Sequence, residues 1–263
     1  LLLAAAWIAL IFRATRHYVD ALSASLVMRR LDLGKGSVDL SDETSARVLR
    51  AALGESDGLR VLHTLAVART ATGADWSDLV APLTSHSDPS VRAEAASYLA
   101  ERGASRHAER LKTLMDDPFE ATRASAIAAY CRLSGADAVP VVVPRLQDPS
   151  LSTRGSAIVA LIRHGGLGGL LHAGRPLQDL LVSTNAEERR QGAEILGELA
   201  VPGFFHPIQD LLADPVPSVR AAALRAAQTV AAPELVPALL NALDDSSSRG
   251  AAGRALVAST AGD

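Results

Sequence analysis

Seven arginines recur along this chain at nearly constant spacing. Arg60, Arg92, Arg123 and Arg154 stand 32, 31 and 31 residues apart; Arg190, Arg220 and Arg249 follow at 30 and 29, after a gap of 36. A guanidinium is always charged and offers a planar fork of donors, so a periodic row has two uses. Each arginine can bridge to an aspartate of the neighbouring repeat and hold rotation between layers, where a partly exposed pair contributes about 0–1 kcal/mol. The row can also face a ligand, and it would then be the first place to look for phosphate or nucleic acid. The inter-repeat ladder is the favoured reading.

Other constellations are harder to assemble. A dinuclear iron site built on helical repeats takes paired His-Glu motifs, and none of His17, His63, His86, His107, His164, His172 or His206 is followed by glutamate. His107-Ala108-Glu109 comes nearest. A His-Glu-x-x-His zinc pattern is absent, and Glu43, Glu55 and Asp57 are explained as helix caps and solvated turns. No serine, histidine and aspartate can be grouped as a triad from sequence alone. Gly34-Lys35-Gly36-Ser37 lacks the earlier glycine and preceding strand of a phosphate loop, and no Lys-Ser or Lys-Thr follows the glycines at 165–169. Cys131 is the only cysteine, which excludes an internal disulfide and a cysteine-based metal cluster; it reads as a small buried residue in a helix. The expectation is a protein that is not an enzyme, with no cofactor and no metal.

Composition points the same way. A net charge of -3 gives no basic excess to draw nucleic acid, and Trp7 and Trp76 are the only tryptophans available for stacking on bases, so a DNA-lesion reader is disfavoured. With 48% hydrophobic but only 3% aromatic residues, alanine, leucine and valine must do most of the packing, which permits close helix contacts.

The elements that carry the arginines follow one template, clearest at residues 214–260: Asp214-Pro215, a helix-period run at 219–230, Pro233, a second run at 235–243, Asp244-Asp245, and a further run from Arg249. Breaker and helix alternate as stacked two-helix hairpins require. The first hairpin begins at Ser41, a helix cap, turns at 54–58, and continues at about 59–70. The next three pair 76–83 with 91–99, 108–115 with 121–133, and 139–146 with 151–162, divided by Asp88-Pro89, Asp117-Pro118 and Asp148-Pro149. Aspartate caps open amides there, and proline fits a first helical turn, where no donor is needed. The last three pair 176–182 with 188–199, 204–212 with 219–230, and 235–243 with 249–257. Four glycines within 165–169 each weaken a helix by about 1 kcal/mol relative to alanine. They predict a loop or a distorted first helix, and a candidate bend at 165–175.

Residues 1–12 are an uncharged apolar run too short to cross a bilayer unaided, which takes about 20 residues. Arg13, Arg16 and His17 come directly after it, followed by an amphipathic segment with Tyr18, Val19, Leu22, Leu26 and Val27, then Arg29 and Arg30. A signal peptide reverses that order. Basic residues and the aromatic anchors Trp7 and Tyr18 suit the end of a span leaving the membrane on its cytoplasmic side, with a soluble capping helix as the competing reading.

The turns Asp88-Pro89-Ser90-Val91-Arg92-Ala93, 117–124, 148–154 and 214–222, each leading into an alanine-rich second helix, resemble HEAT repeats over about residues 40–260. Trp7, the string Arg13-Ala14-Thr15-Arg16-His17-Tyr18-Val19-Asp20-Ala21-Leu22, and Arg30-Leu31-Asp32-Leu33 look like the junction after the last membrane helix of bacterial ATP/ADP-translocase-like transporters fused to HEAT repeats. Some members of that group carry a cyclic-nucleotide-binding module beyond the repeats. The transporter's nucleotide site would lie before Leu1, so none of its residues transfers here. The expected fold is all-α: an α-α superhelix of about seven hairpins over 36–263, preceded by an arm at 1–35. The expected role is a scaffold or regulatory domain at the cytoplasmic side of the cell membrane. Its partner would be a protein or an adjacent domain, with the arm in contact with the membrane; a soluble cytoplasmic adaptor is the alternative.

Overall fold

The computed structural model describes residues 43–71, 75–244 and 248–260. The expected arm at 1–35, the Gly34-Lys35-Gly36-Ser37 string and the cap at Ser41 lie outside these. Among the described residues every regular element is helical, and they form seven successive pairs. The first pair is α1 (Glu43–Leu53) and α2 (Gly58–Thr70). The second is a short α3 (Ser77–Val80), continued by a 3-10 turn, and α4 (Pro89–Glu101). The third is α5 (Ala108–Leu114) and α6 (Glu120–Ser134). The fourth is α7 (Val139–Val142), again with a 3-10 extension, and α8 (Leu151–His164). Then come α9 (Gly166–Leu181) with α10 (Ala186–Leu199), α11 (Phe205–Leu212) with α12 (Pro217–Val230), and α13 (Val236–Ala242) with α14 (Arg249–Thr260).

Local chemistry sets the helix ends. Asp57, Asp88 and Asn185 accept from the backbone N–H two residues on, at 3.1, 2.8 and 2.9 Å, satisfying donors that an open first turn leaves bare. Pro89 and Pro217 occupy the first position of their helices, where a missing donor costs nothing. Residues 120–147 are apolar enough and long enough to cross a bilayer by length and composition. The run is nonetheless broken at Gly135, whose φ of +57° ends α6, and the chain then enters the next pair.

The chain divides into two compact units, Leu1–Ala129 and Tyr130–Asp263. In the first, α2 lies against both α1 and α4. Their shared interior is built from Leu49, Leu53, Val61, Leu65, Trp76, Val80, Val91 and Tyr98. Each aliphatic side chain withdrawn from water there stabilises by about 1.5–3 kcal/mol before the entropy of ordering is counted. Arg102, just past α4, donates to the carbonyls of Ala68 and Arg69 at 2.9 and 3.0 Å and so closes the open end of α2.

In the second unit, α8, α10, α12 and α14 pack one on the next, and the first helices α9 and α11 pack on their own partners. Small residues make this row close: α12 buries Ala222, Ala223, Ala226 and Ala227 with Val219, Leu224 and Val230. Cys131 is fully buried, and burial pushes its thiol up to about 12.

The glycine-rich stretch is helical. Gly166, at φ +59°, makes the corner, and α9 runs from there to Leu181. A Cβ on Gly169 would stand 2.2 Å from the Leu161 carbonyl oxygen, so the glycine lets α9 lie directly against the end of α8.

Candidate functional site

The periodic arginines sit at the mouths of the hairpins, and one local geometry repeats. Six residues before the arginine, a side chain folds back onto the chain. Asp117, Asp148 and Asp214 each accept from the N–H two residues on, at 2.8–2.9 Å, and Ser183 does so for Asn185 at 3.1 Å. The arginine of the following helix reaches back to the same turn. Nη1 of Arg123 donates to the carbonyls of Asp117 and Pro118 (3.0 and 3.2 Å), Arg154 to Asp148 and Pro149 (3.0 and 3.4 Å), and Arg220 to Asp214 and Pro215 (3.0 and 3.2 Å). Arg92 does the same to His86 and Ser87 at 2.8 and 3.0 Å, and the Arg249 Nε donates to Leu243 at 2.9 Å.

In the fifth pair the arginine in this position is Arg189, one residue before the one that spacing singled out. Its Nη1 donates to Ser183 and Thr184 at 2.8 and 3.2 Å. Arg190 instead stays on its own helix, bonding Glu187 and, at 2.5 Å, Glu194. The reason is rotational: adjacent residues on a helix point about 100° apart, so only one of the two can return to the turn.

The other end of two of these arginines bridges to the next repeat. Arg92 grips Asp117 through Nε and Nη2 at 2.7 and 2.8 Å, with both side chains almost wholly buried (11% and 6% exposed). Arg189 grips Asp214 in the same way at 2.6 and 3.0 Å. Burial opposes the charge on Asp117, but hydrogen bonds from Arg92 and from the Phe119 N–H outweigh it and hold its carboxyl below the usual range. For Asp214 the Arg189 contact is the largest influence, in the same direction. Each of these aspartates therefore both folds the turn before its own helix and anchors the arginine of the previous repeat.

Where the next turn offers no aspartate, the pattern adapts. After Arg154 comes Ser183, whose hydroxyl donates to Glu188 at 2.6 Å, and Glu188 supplies the carboxylate, 3.6 Å from Arg154. After Arg60 comes His86, whose Nδ1 accepts from the Asp88 N–H at 3.0 Å. Arg60 turns to Glu55 at 2.9 Å in its own hairpin. Of the seven arginines chosen by spacing, Arg92 thus makes a bidentate bridge to the next repeat, Arg154 a longer one, and Arg60 and Arg190 pair locally.

No three His, Cys, Asp or Glu side chains gather among the described residues as a metal site would need. The exposed cluster of Arg106, His107, Asp75 and Asp78 closes on itself, with Arg106 donating to Asp78 and Asp75 at 2.9 and 3.1 Å. Missed from sequence were Arg189, the histidine in the aspartate position at 86, and Arg50 and Arg110 beside it, which make no ion pair among the described residues. Counting six residues from each capping side chain, rather than the interval between arginines, would have found the first.

The sequence profile of the family described as HEAT repeats matches residues 76–163, 108–195 and 174–258. The chain belongs to the HEAT-repeat family. The second to seventh pairs lie on the matched residues. No curated protein sequence matches it. Among solved structures it is similar to human deoxyhypusine hydroxylase in complex with glycerol, at 16% identity and a TM-score of 0.42, covering 82% of this chain and 96% of that one. It is also similar to the complex of CpcE and CpcF of phycocyanin lyase from Nostoc, at 17% identity and 0.49, covering 83% and 84%. A third similarity, to YibA of E. coli, is at 16% identity and 0.44, covering 80% and 90%.

Proposed function

We propose that the chain is a non-catalytic HEAT-repeat scaffold that presents its surface to a protein partner or to an adjacent domain of the same polypeptide. The observation that carries this is where its charge is spent. Ionisable groups displaced from their ordinary behaviour cluster at functional sites when they face a cleft without a structural partner. Here Arg92 and Asp117, Arg189 and Asp214, Arg106 with Asp75 and Asp78, and Arg190 with Glu187 are displaced by contacts that build the hairpins, and Cys131 by burial. Cross-linking of the full-length native polypeptide is expected to join residues of the repeats to another domain or protein. Turnover lost on changing a single histidine or carboxylate would contradict the reading.

The same proposal places the repeats at the cytoplasmic face of a membrane, held by residues 1–35. Its support is the order of apolar run, Arg13, Arg16 and amphipathic segment, and the transporter-linked form rests on the resemblance at 7–33 alone. Alkaline extraction of native membranes is expected to leave the full-length protein in the pellet. Recovery of the intact native protein in the soluble fraction would instead make it a soluble adaptor.

A further inference from the structure

Two hollows of about 590 and 350 Å³ lie at the mouths of the first three hairpins and meet at Ser85 and His86. The smaller reaches Arg50 and Glu55 of the first hairpin, and the larger reaches Arg110, Asp116 and Phe119 of the third. Its acids are already engaged. Glu55 is held by Arg60 at 2.9 Å, Asp117 by Arg92 and by the Phe119 N–H, and Asp116 also has a partner within the fold.

Its donors are not. Arg50 and Arg110 carry full charge and make no ion pair among the described residues. His86 uses Nδ1 to accept from Asp88, which leaves Nε2 as the protonated nitrogen of the neutral ring, a donor without a partner among the described residues. Arg50 and Arg110 thus place a cation in each hollow, although the whole chain is at -3. Between the donors lie apolar surfaces: the half-buried Leu79 in the smaller hollow, and in the larger Phe119, 52% exposed, with the Arg92 guanidinium 5.6 Å from the centre of its ring.

We propose that this groove binds an extended acidic peptide segment, whose carboxylates meet Arg50, His86 and Arg110 and whose apolar side chains lie on Leu79 and Phe119. The alternation decides the class. In an extended peptide residues two apart share a face, so acidic and apolar residues at every second position can be presented to the groove in turn. A nucleic acid would call for a denser cationic track. The proposal rests on the scaffold reading and gives that scaffold a partner chemistry.

The test is fluorescence anisotropy of the full chain with a labelled peptide of repeating Glu-Ser-Leu-Ser units, which sets Glu and Leu on one face, against a control with Gln for each Glu and against a labelled oligothymidine. The acidic peptide should bind, the control should not, and added salt should weaken binding. The double variant Arg50→Glu, Arg110→Glu should weaken it about tenfold or more, since two exposed attractions become repulsions. Its melting should drop only slightly, because neither arginine makes an ion pair among the described residues and only Arg50, in the last turn of α1, favours its helix end, and Phe119→Ala should weaken binding separately. Equal affinity for the glutamine control, indifference to the charge reversal, or tighter binding of the oligonucleotide would overturn the proposal. If the acidic peptide fails while cross-links from the full-length protein map to other hairpins, the groove falls and the scaffold stands.

Discussion

Arg189 and Arg190 are chemically identical neighbours with different fates, and what separates them is direction. Arg189 returns to Ser183 and reaches Asp214, with 15% of its side chain exposed; Arg190 lies along the helix surface between Glu187 and Glu194. Surface pairs of that kind contribute little, so Arg190→Gln is expected to cost about 0–1 kcal/mol in urea unfolding. Arg189→Gln should cost clearly more, because it leaves Asp214 without its bidentate partner and two turn carbonyls without a donor. Equal costs would mean that the bridge to the next repeat adds no stability. The type and approximate position of these arginines are legible in the sequence. The choice between two adjacent ones is not, since an interval of 36 differs from 35 by less than the scatter between repeats. The groove was hidden for another reason: a cation is available only after its possible partners are spent elsewhere, and sequence does not record which carboxylate Arg60 or Arg92 has taken.

At the scale of elements, the Asp-Pro breakers state the hairpins plainly, and the helices lie where the periodicity puts them except at 166–175. Four glycines there argue against a helix by propensity. Tertiary contact wins, because a residue without Cβ lets α9 approach the backbone of α8 more closely than any other residue allows. Two neighbouring substitutions separate propensity from packing. Gly174, in mid-helix with nothing within 4 Å of a Cβ, should tolerate alanine and gain up to about 1 kcal/mol. Gly169→Ala should destabilise by about 1–3 kcal/mol despite the same gain in propensity, since its Cβ would meet the Leu161 carbonyl at 2.2 Å. Thermal melts of the two variants check the pair; stabilisation by both would place α9 farther from α8 than described here.

For the whole molecule, the ionisable groups set a pH dependence of known sign. Asp75, Asp117 and Asp214 all have carboxyls held below their ordinary range, so the unfolded chain binds protons more readily than the folded one. Their contribution is complete above the unfolded carboxylate value of about 3.9 and is lost as the pH falls through the folded values. His164 acts in the same direction at higher pH. Burial, then Arg132 and Arg163, lower its affinity for a proton, so acidification through the ordinary histidine value of about 6.5 favours the unfolded chain. Urea unfolding across this range should show stability falling in two stages, with the upper one absent in His164→Gln. Constant stability between about pH 7 and pH 5 would contradict the role given to His164.

What holds successive HEAT hairpins in register, on this view, is the arginine that ties its own turn to the turn aspartate of the next. The most direct measurement is a double-mutant cycle on Arg92→Gln and Asp117→Asn, read by urea unfolding at neutral pH. A coupling of about 1–3 kcal/mol is expected, because the two groups are buried together and share two hydrogen bonds. Additive losses, with no coupling between the two positions, would show that the pair is adjacent without joining the repeats.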